Sequence, residues 1–466
     1  MARYLGADDY GGYKLCITLV TVLAAVSTLG LNGGITRFIP MARNDSDSAK
    51  IWGIVQIGIG IPFLLGLIIT LLVFPSTGII SKQLFSKPEL SVILKYSILG
   101  LPFLILVNGF SAMVVAFKNI GYSVIAKDFA FNLIKLILAL TAILLGFGVK
   151  GVTIAYVISV FLTVIIFLYF AGKTFSLKRP WTSAIRPSRE IFNFSLPLFF
   201  TILLNRFSSN FETIILGFFG VLAEVGIYSI ILNLSSIGKM GFEALRTISS
   251  PIFAELHSQG KINELKQYYQ TITKWSFTFN LPIFLTICLF SENLLIIFGE
   301  EFALGKMGLI ILASGVLFDA LTGACGAVIK MSGYSKVNLI ISIFYLTTTI
   351  ILDFILIPKY GLLGAAWAGA LTIVIGNILA ASAAYFLIDK LLPFDKSILK
   401  PILASLIAGL TTYYLSTVVL TNHPILQLVV LATLMWGIFL LIIFLLKLSH
   451  DERMLLKGLV YKFRKP

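Results

Sequence analysis

Residues 51–74 read Ile51-Trp52-Gly53-Ile54-Val55-Gln56-Ile57-Gly58-Ile59-Gly60-Ile61-Pro62-Phe63-Leu64-Leu65-Gly66-Leu67-Ile68-Ile69-Thr70-Leu71-Leu72-Val73-Phe74, without one charged side chain. A helix needs about 20 apolar residues to cross a bilayer, and this run has the length to do so. It is continuously apolar, whereas a strand of a membrane barrel alternates over about 10 residues. Helices and closed barrels are the only spanning structures that satisfy every backbone polar group. The run is therefore read as a helix.

Comparable runs lie near 14–33, 92–117, 129–145, 152–170, 191–216 and 225–245, and again near 272–290, 308–329, 337–357, 362–387, 398–419 and 425–446. Together they predict thirteen spans of an all-α polytopic membrane protein. The whole chain agrees: 466 residues, 58% hydrophobic and 12% charged, against roughly 25% charged in soluble domains. Mean hydropathy is +0.98. The abundant Gly (38 residues) suits close helix packing and the abundant Phe (38) suits a lipid-facing surface.

Several function classes drop out. Cys16, Cys288 and Cys325 fall inside predicted spans, and His257, His423 and His450 are scattered, so no disulfide framework or zinc site is expected. Gly172-Lys173-Thr174 is the nearest approach to a phosphate loop, but Phe167 stands where the motif needs glycine and no strand precedes it. No cofactor is expected. The opening Met1-Ala2-Arg3-Tyr4 is not a cleavable signal peptide. The net charge of +15 is a topological signal in a membrane chain rather than a sign of nucleic acid.

Alternate loops carry 24 basic residues on one face and 6 on the other. The rich face includes Arg37, Arg43, Lys118, Lys127, Arg246, Lys261 and Lys330, and the poor face Lys82, Lys87, Lys306 and Lys359. Basic loops stay in the cytoplasm, so the carboxyl terminus is expected inside a plasma or inner membrane. Lys178-Arg179-Pro180-Trp181 and the tail 447–466 are expected to anchor on anionic lipid headgroups.

An internal repeat is also legible. Gly121-Tyr122-Ser123 matches Gly333-Tyr334-Ser335 at an offset of 212; Gly148, Gly151 and Ala155 match Gly361, Gly364 and Ala368 at 213; Gly11 and Tyr13 match Gly226 and Tyr228 at 215. Six spans per repeat make the halves parallel, as in some secondary transporters, with a central cleft between them. The expected organisation is a lobe over 1–172 with five visible spans, a basic linker over 173–190, a six-span lobe over 191–390, two extra spans over 391–446 and the tail. The start of the first repeat then falls at position −22, 23 residues upstream of Met1. One span of repeat one is thus expected to be missing from this reading of the chain.

The opening Ala2-Arg3-Tyr4-Leu5-Gly6-Ala7-Asp8-Asp9-Tyr10-Gly11, the span after it, Arg37-Phe38-Ile39 and the later Ser195-Leu196-Pro197 resemble the polysaccharide-biosynthesis flippases, the Wzx-like branch of the multidrug/oligosaccharidyl-lipid/polysaccharide exporter superfamily. The resemblance implies transfer of a polyprenyl-pyrophosphate oligosaccharide from the cytoplasmic to the external leaflet by alternating access. It also implies as partners that lipid-linked oligosaccharide, membrane lipids and a glycan polymerase or glycosyltransferases.

A charge at mid-bilayer costs about 2.5–3.5 kcal/mol on an insertion scale, so polar residues inside spans mark candidate sites. Arg206 lies near the middle of its run, with Asn205, Ser209 and Glu212 on one side of the helix and Asn210 one turn on. A guanidinium matches phosphate oxygens with a fork of donors. Asp319, also mid-span, is either a substrate-cleft residue or the ion-pair partner of Arg206. Lys135 is either a cleft cation or a side chain reaching back to the headgroups. Asp353 is expected at the external interface. Glu212 and Asp319 would instead serve cation coupling in a multidrug or cation antiporter. A membrane-embedded glycosyltransferase or ligase would need an acid, base or metal cluster near a large loop, and none is present in the sequence.

Overall fold

The computed structural model describes residues 1–44, 47–175, 184–418 and 424–446, and those residues form helices without a strand. Two compact units divide the chain, Met1–Gly226 and Ile227–Pro466. Lys178, Arg179, Pro180, Trp181 and the tail 447–466 lie outside the described residues.

The first unit contains α1 (Ala2–Thr28), α2 (Leu31–Asn44), α3 (Ser48–Val55), α4 (Ile61–Ile79), α5 (Leu90–Ile98), α6 (Leu101–Ala116), α7 (Ile120–Ser123), α8 (Phe131–Leu144), α9 (Gly148–Thr174) and α10 (Ser188–Phe219). Single π-helical turns join α3 to α4 and α7 to α8, so 48–84 and 120–144 are each continuous helix. Asp47 caps α3, its carboxylate accepting the Lys50 amide at 2.8 Å. On α9 the residues at four-residue spacing, Gly151, Ala155, Ser159, Thr163, Phe167 and Ala171, are all buried. Small side chains there let neighbouring backbones approach, and the Ser159 and Thr163 hydroxyls donate back to carbonyls four residues earlier.

The repeat arithmetic assigns α10 to the second half, yet it packs in the first unit against α1 and α2. Glycines make room for it. A Cβ on Gly30, whose φ is +72°, would strike the Ser195 carbonyl and lie 2.8 Å from the Phe199 nitrogen; one on Gly34 would lie 2.7 Å from Ser195 Oγ. At the other end Gly217 faces Leu15 of α1.

Chain segments 7–11 and 222–226, which the sequence relates by an offset of 215, also meet in this unit. A Cβ on Gly11 would strike the Leu222 carbonyl, and one on Gly226 would strike the Ala7 carbonyl. The crossing is thus reciprocal, residue 11 against 222 and residue 226 against 7.

The second unit continues α11 (Leu222–Ser258) and holds α12 (Ile262–Ile296), α13 (Lys306–Thr322), α14 (Cys325–Met331), α15 (Ser335–Leu387), α16 (Leu399–Val418) and α17 (Pro424–Leu445). α15 runs for 53 residues and is broken at Gly361, with φ 52° and ψ −125°. The break separates the two runs expected at 337–357 and 362–387. α13 packs on α15 with Gly315 against Ala370. Ala404, Ala408, Met435 and Phe439 of α16 and α17 close over Phe277 and Leu281 of α12.

Among the described residues nine helices are long and apolar enough to cross a membrane, and α5 with α6 forms a further pair bent by 42°. The 53-residue α15 counts once in that number despite its break.

Candidate functional site

Helix boundaries in the first unit differ from the expected ones in a way that matters for chemistry. Spans were expected to start at 14 and 129, next to charged residues. Instead α1 begins at Ala2, and helix continues unbroken from 120 through 144. Backbone hydrogen bonding carries a helix through a charge wherever the side chain finds protein to lean on. Lys14 and Lys127, one at the edge of an expected span and the other in a loop, consequently lie well inside helices.

Four cations result. Lys127 sits on the π-helical turn Val124–Ala130, where its ammonium donates to Asn108 Oδ1 of α6 at 3.1 Å. Turns of this type recur at functional sites. Arg206 of α10 is close enough to Lys127 for their charges to interact, and the Asp128 carboxylate opposes that effect on Lys127. Lys14 of α1 and Lys135 of α8 likewise interact as like charges. The Lys135 ammonium turns back along its helix to Asn132 Oδ1 at 3.0 Å and over the Phe131 ring at 4.8 Å. Lys14 rests over the Tyr10 ring at 5.5 Å. A chain of ring contacts joins these residues, from Tyr10 to Tyr13 at 6.4 Å, Tyr13 to Tyr156 at 6.5 Å and Tyr156 to Phe131 at 6.1 Å.

The other residues anticipated on α10 divide. Asn210 donates to the Arg206 carbonyl at 2.8 Å, so its amide is engaged by its own helix. Ser209 donates to the same carbonyl at 3.2 Å. Glu212 is half-buried two turns beyond Arg206. Asn205 is helical, and its side chain lies outside the described residues.

The carboxyl end of α10 is fixed from the poor-charge face. Lys87 donates to the Gly217 carbonyl at 2.7 Å, placing a cation at the negative pole of the helix. Burial pulls its ammonium below the usual lysine range, against the opposing pull of Glu89, Asp8 and Glu224.

In the second unit Asp319 pairs with Arg246, a residue expected in a loop. α11 continues to Ser258 and so carries Arg246 inside the helix. Its Nη2 donates to Asp319 Oδ1 at 3.3 Å and to the Gly323 carbonyl at 3.1 Å, while Nη1 reaches Glu243 Oε1 at 3.0 Å. The Arg246 and Asp319 side chains are 28% and 15% exposed. Gly323 breaks the helix between α13 and α14, freeing carbonyls that Arg246 and Tyr269 satisfy; Tyr269 donates to the Thr322 carbonyl at 2.7 Å. Thr322 and Cys325 donate to Asn377 Oδ1. Asp353, expected at the interface, is fully buried. No cluster of metal-ligating side chains occurs among the described residues.

Known proteins share this architecture. A family model described as polysaccharide biosynthesis protein matches residues 1–257, and the MatE model matches residues 197–355. The capsular polysaccharide biosynthesis protein CapF of Staphylococcus aureus is 28% identical over 56% of this chain and 65% of its own length. A probable low-salt glycan biosynthesis flippase of Haloferax volcanii is 27% identical over 44% of this chain and 43% of its own. The chain thus spans less than two thirds of both relatives. Among solved structures, the lipid II flippase MurJ in an inward closed conformation superposes with a TM-score of 0.73 at 17% identity, covering 95% of this chain and 93% of MurJ. That likeness establishes a polytopic transporter fold. With more than half of its length matched by the family model, the chain belongs to the polysaccharide biosynthesis protein family.

Proposed function

We propose that the chain is a flippase that moves a polyprenyl-pyrophosphate-linked oligosaccharide from the cytoplasmic to the external leaflet. The observation that carries this reading is a polar group inside the helices of the first unit, where Lys127 donates to Asn108 Oδ1 at 3.1 Å and lies near enough to Arg206 for their charges to interact. Two cations beside the one carboxylate of Asp128 leave a net positive charge that an anion can take up. A pyrophosphate supplies both charge and acceptor oxygens, and a guanidinium answers it with a planar fork of donors. The carboxamide adds hydrogen-bonding capacity without neutralising the site.

Alternating access follows for such cargo, because the headgroup needs a polar, cation-lined path while the lipid tail stays in the hydrocarbon. The cytoplasmic basic face would receive the substrate where its synthesis ends. The name of the Haloferax volcanii relative and the family of the chain support this direction of reading. A cation antiporter would centre on membrane carboxylates. Of the two carboxylates such an antiporter would use, Glu212 and Asp319, Asp319 is engaged by Arg246, which favours the flippase.

The test is translocation of a labelled lipid-linked oligosaccharide by Arg206 variants in reconstituted vesicles. Arg206→Ala lowers the rate about tenfold or more and Arg206→Lys by less, as loss of a charge-assisted fork predicts. Wild-type rates in both would remove Arg206 from the substrate path.

A further inference from the structure

The first unit holds two pairs of cations rather than one. Lys135 lies eight residues beyond Lys127, about 12 Å along the helix at about 1.5 Å per residue. A single pyrophosphate on Arg206 and Lys127 is too compact to engage both pairs. Lys14 of α1 and Lys135 of α8 rest on the two ends of one chain of ring contacts, near enough for their charges to interact, and among the described residues neither has a carboxylate within ion-pair distance. Each ammonium instead rests on an aromatic ring, Tyr10 or Phe131. Cation–π contacts are weak substitutes for an ion pair. Lys135 has three donor hydrogens and one side-chain acceptor among the described residues, Asn132. Tyr10, Tyr13, Tyr156 and Phe131 form a contiguous aromatic group around the pair, and aromatic faces suit the apolar face of a sugar ring.

We infer that Lys14 and Lys135 form a second oxyanion subsite, one that takes the carboxylate of an acidic sugar in the glycan while Arg206 and Lys127 take the pyrophosphate. The inference rests on the flippase reading above and deepens it. The substrate class becomes a lipid-linked oligosaccharide carrying a uronic acid a few sugar units from the lipid. The separation of the two cation pairs along one helix sets the separation of the two anionic groups on the cargo.

The experiment uses the full chain in vesicles and two polyprenyl-pyrophosphate trisaccharides identical except at the distal sugar, a hexose in one and the corresponding uronic acid in the other. At subsaturating concentration the wild type moves the acidic substrate about tenfold faster, the gain expected of charge-assisted bonds. The double variant Lys14→Gln with Lys135→Gln brings the ratio of the two rates to about one. Lys14→Arg with Lys135→Arg retains the preference, and monodisperse elution of both variants controls for folding.

A wild-type ratio near one overturns the inference and leaves the flippase reading standing. Equal fractional loss of both substrates in the glutamine variant also overturns it, by assigning the pair to the pyrophosphate. Movement of neither substrate by folded wild-type protein removes the flippase reading for this substrate class, and the inference with it.

Discussion

Arg246 and Asp319 stand 73 residues apart in sequence and meet at the break after α13, where the guanidinium also satisfies the Gly323 carbonyl. Removing one member of a mostly buried pair leaves the other unpaired in a low-dielectric setting, which costs more than exchanging both for apolar groups. Asp319→Ala should therefore destabilise the protein by about 1–3 kcal/mol after allowance for partial exposure. Arg246→Met with Asp319→Leu should recover most of that loss. Thermal unfolding of the purified protein in detergent checks both values, and a double variant no more stable than Asp319→Ala would contradict the coupling. The sequence alone exposed Arg206, Lys135 and Asp319, because each interrupts an apolar run. It hid Arg246, Lys127 and the depth of Lys14, because a cation near the edge of a hydrophobic window is indistinguishable from a loop residue until the helix is seen to continue past it. Proximity of Lys14 to Lys135 and of Arg206 to Lys127 is a tertiary fact with no signature in local spacing.

Elements were far more legible than sites. Apolar runs located the main helices but not all of their ends, and of the glycines matched by offset Gly148, Gly333 and Gly361 take positive φ while Gly121 is helical. What hydropathy does not encode is where polar residues continue a helix, as at 7–13 and 246–258, and which neighbour a helix chooses. The choice made by α10 follows from Gly30, Gly33, Gly34 and Gly217, which remove side chains along its path. The reciprocal crossing of Gly11 and Gly226 gives a sharp test. Gly11→Ala puts a methyl into the Leu222 carbonyl and should cost on the order of 1–3 kcal/mol, the range for overpacking. Gly60→Ala, at a helical site with nothing within 4 Å, should be neutral or stabilising by up to about 1 kcal/mol. Unfolding midpoints of the two variants measure the contrast, and equal midpoints would contradict close packing at Gly11.

At the scale of the molecule the charge asymmetry predicts the orientation. Single cysteines introduced at Lys261 and Lys359 should respond oppositely to a membrane-impermeant maleimide applied to intact cells, with Lys359→Cys labelled and Lys261→Cys protected until the membrane is opened. Native background is low, since Cys16 and Cys325 are buried and Cys288 is half-buried. Reversal of the pattern would invert the assignment of the cytoplasmic face and with it the direction of transport.

Flipping is measured most directly by following a fluorescent polyprenyl-pyrophosphate oligosaccharide from one leaflet to the other in vesicles containing the folded full chain, with empty vesicles as reference. Protein-dependent movement, lost when Arg206 becomes Ala and partly retained when it becomes Lys, is the predicted result. Movement no faster than in empty vesicles, across glycans both neutral and acidic, would contradict it.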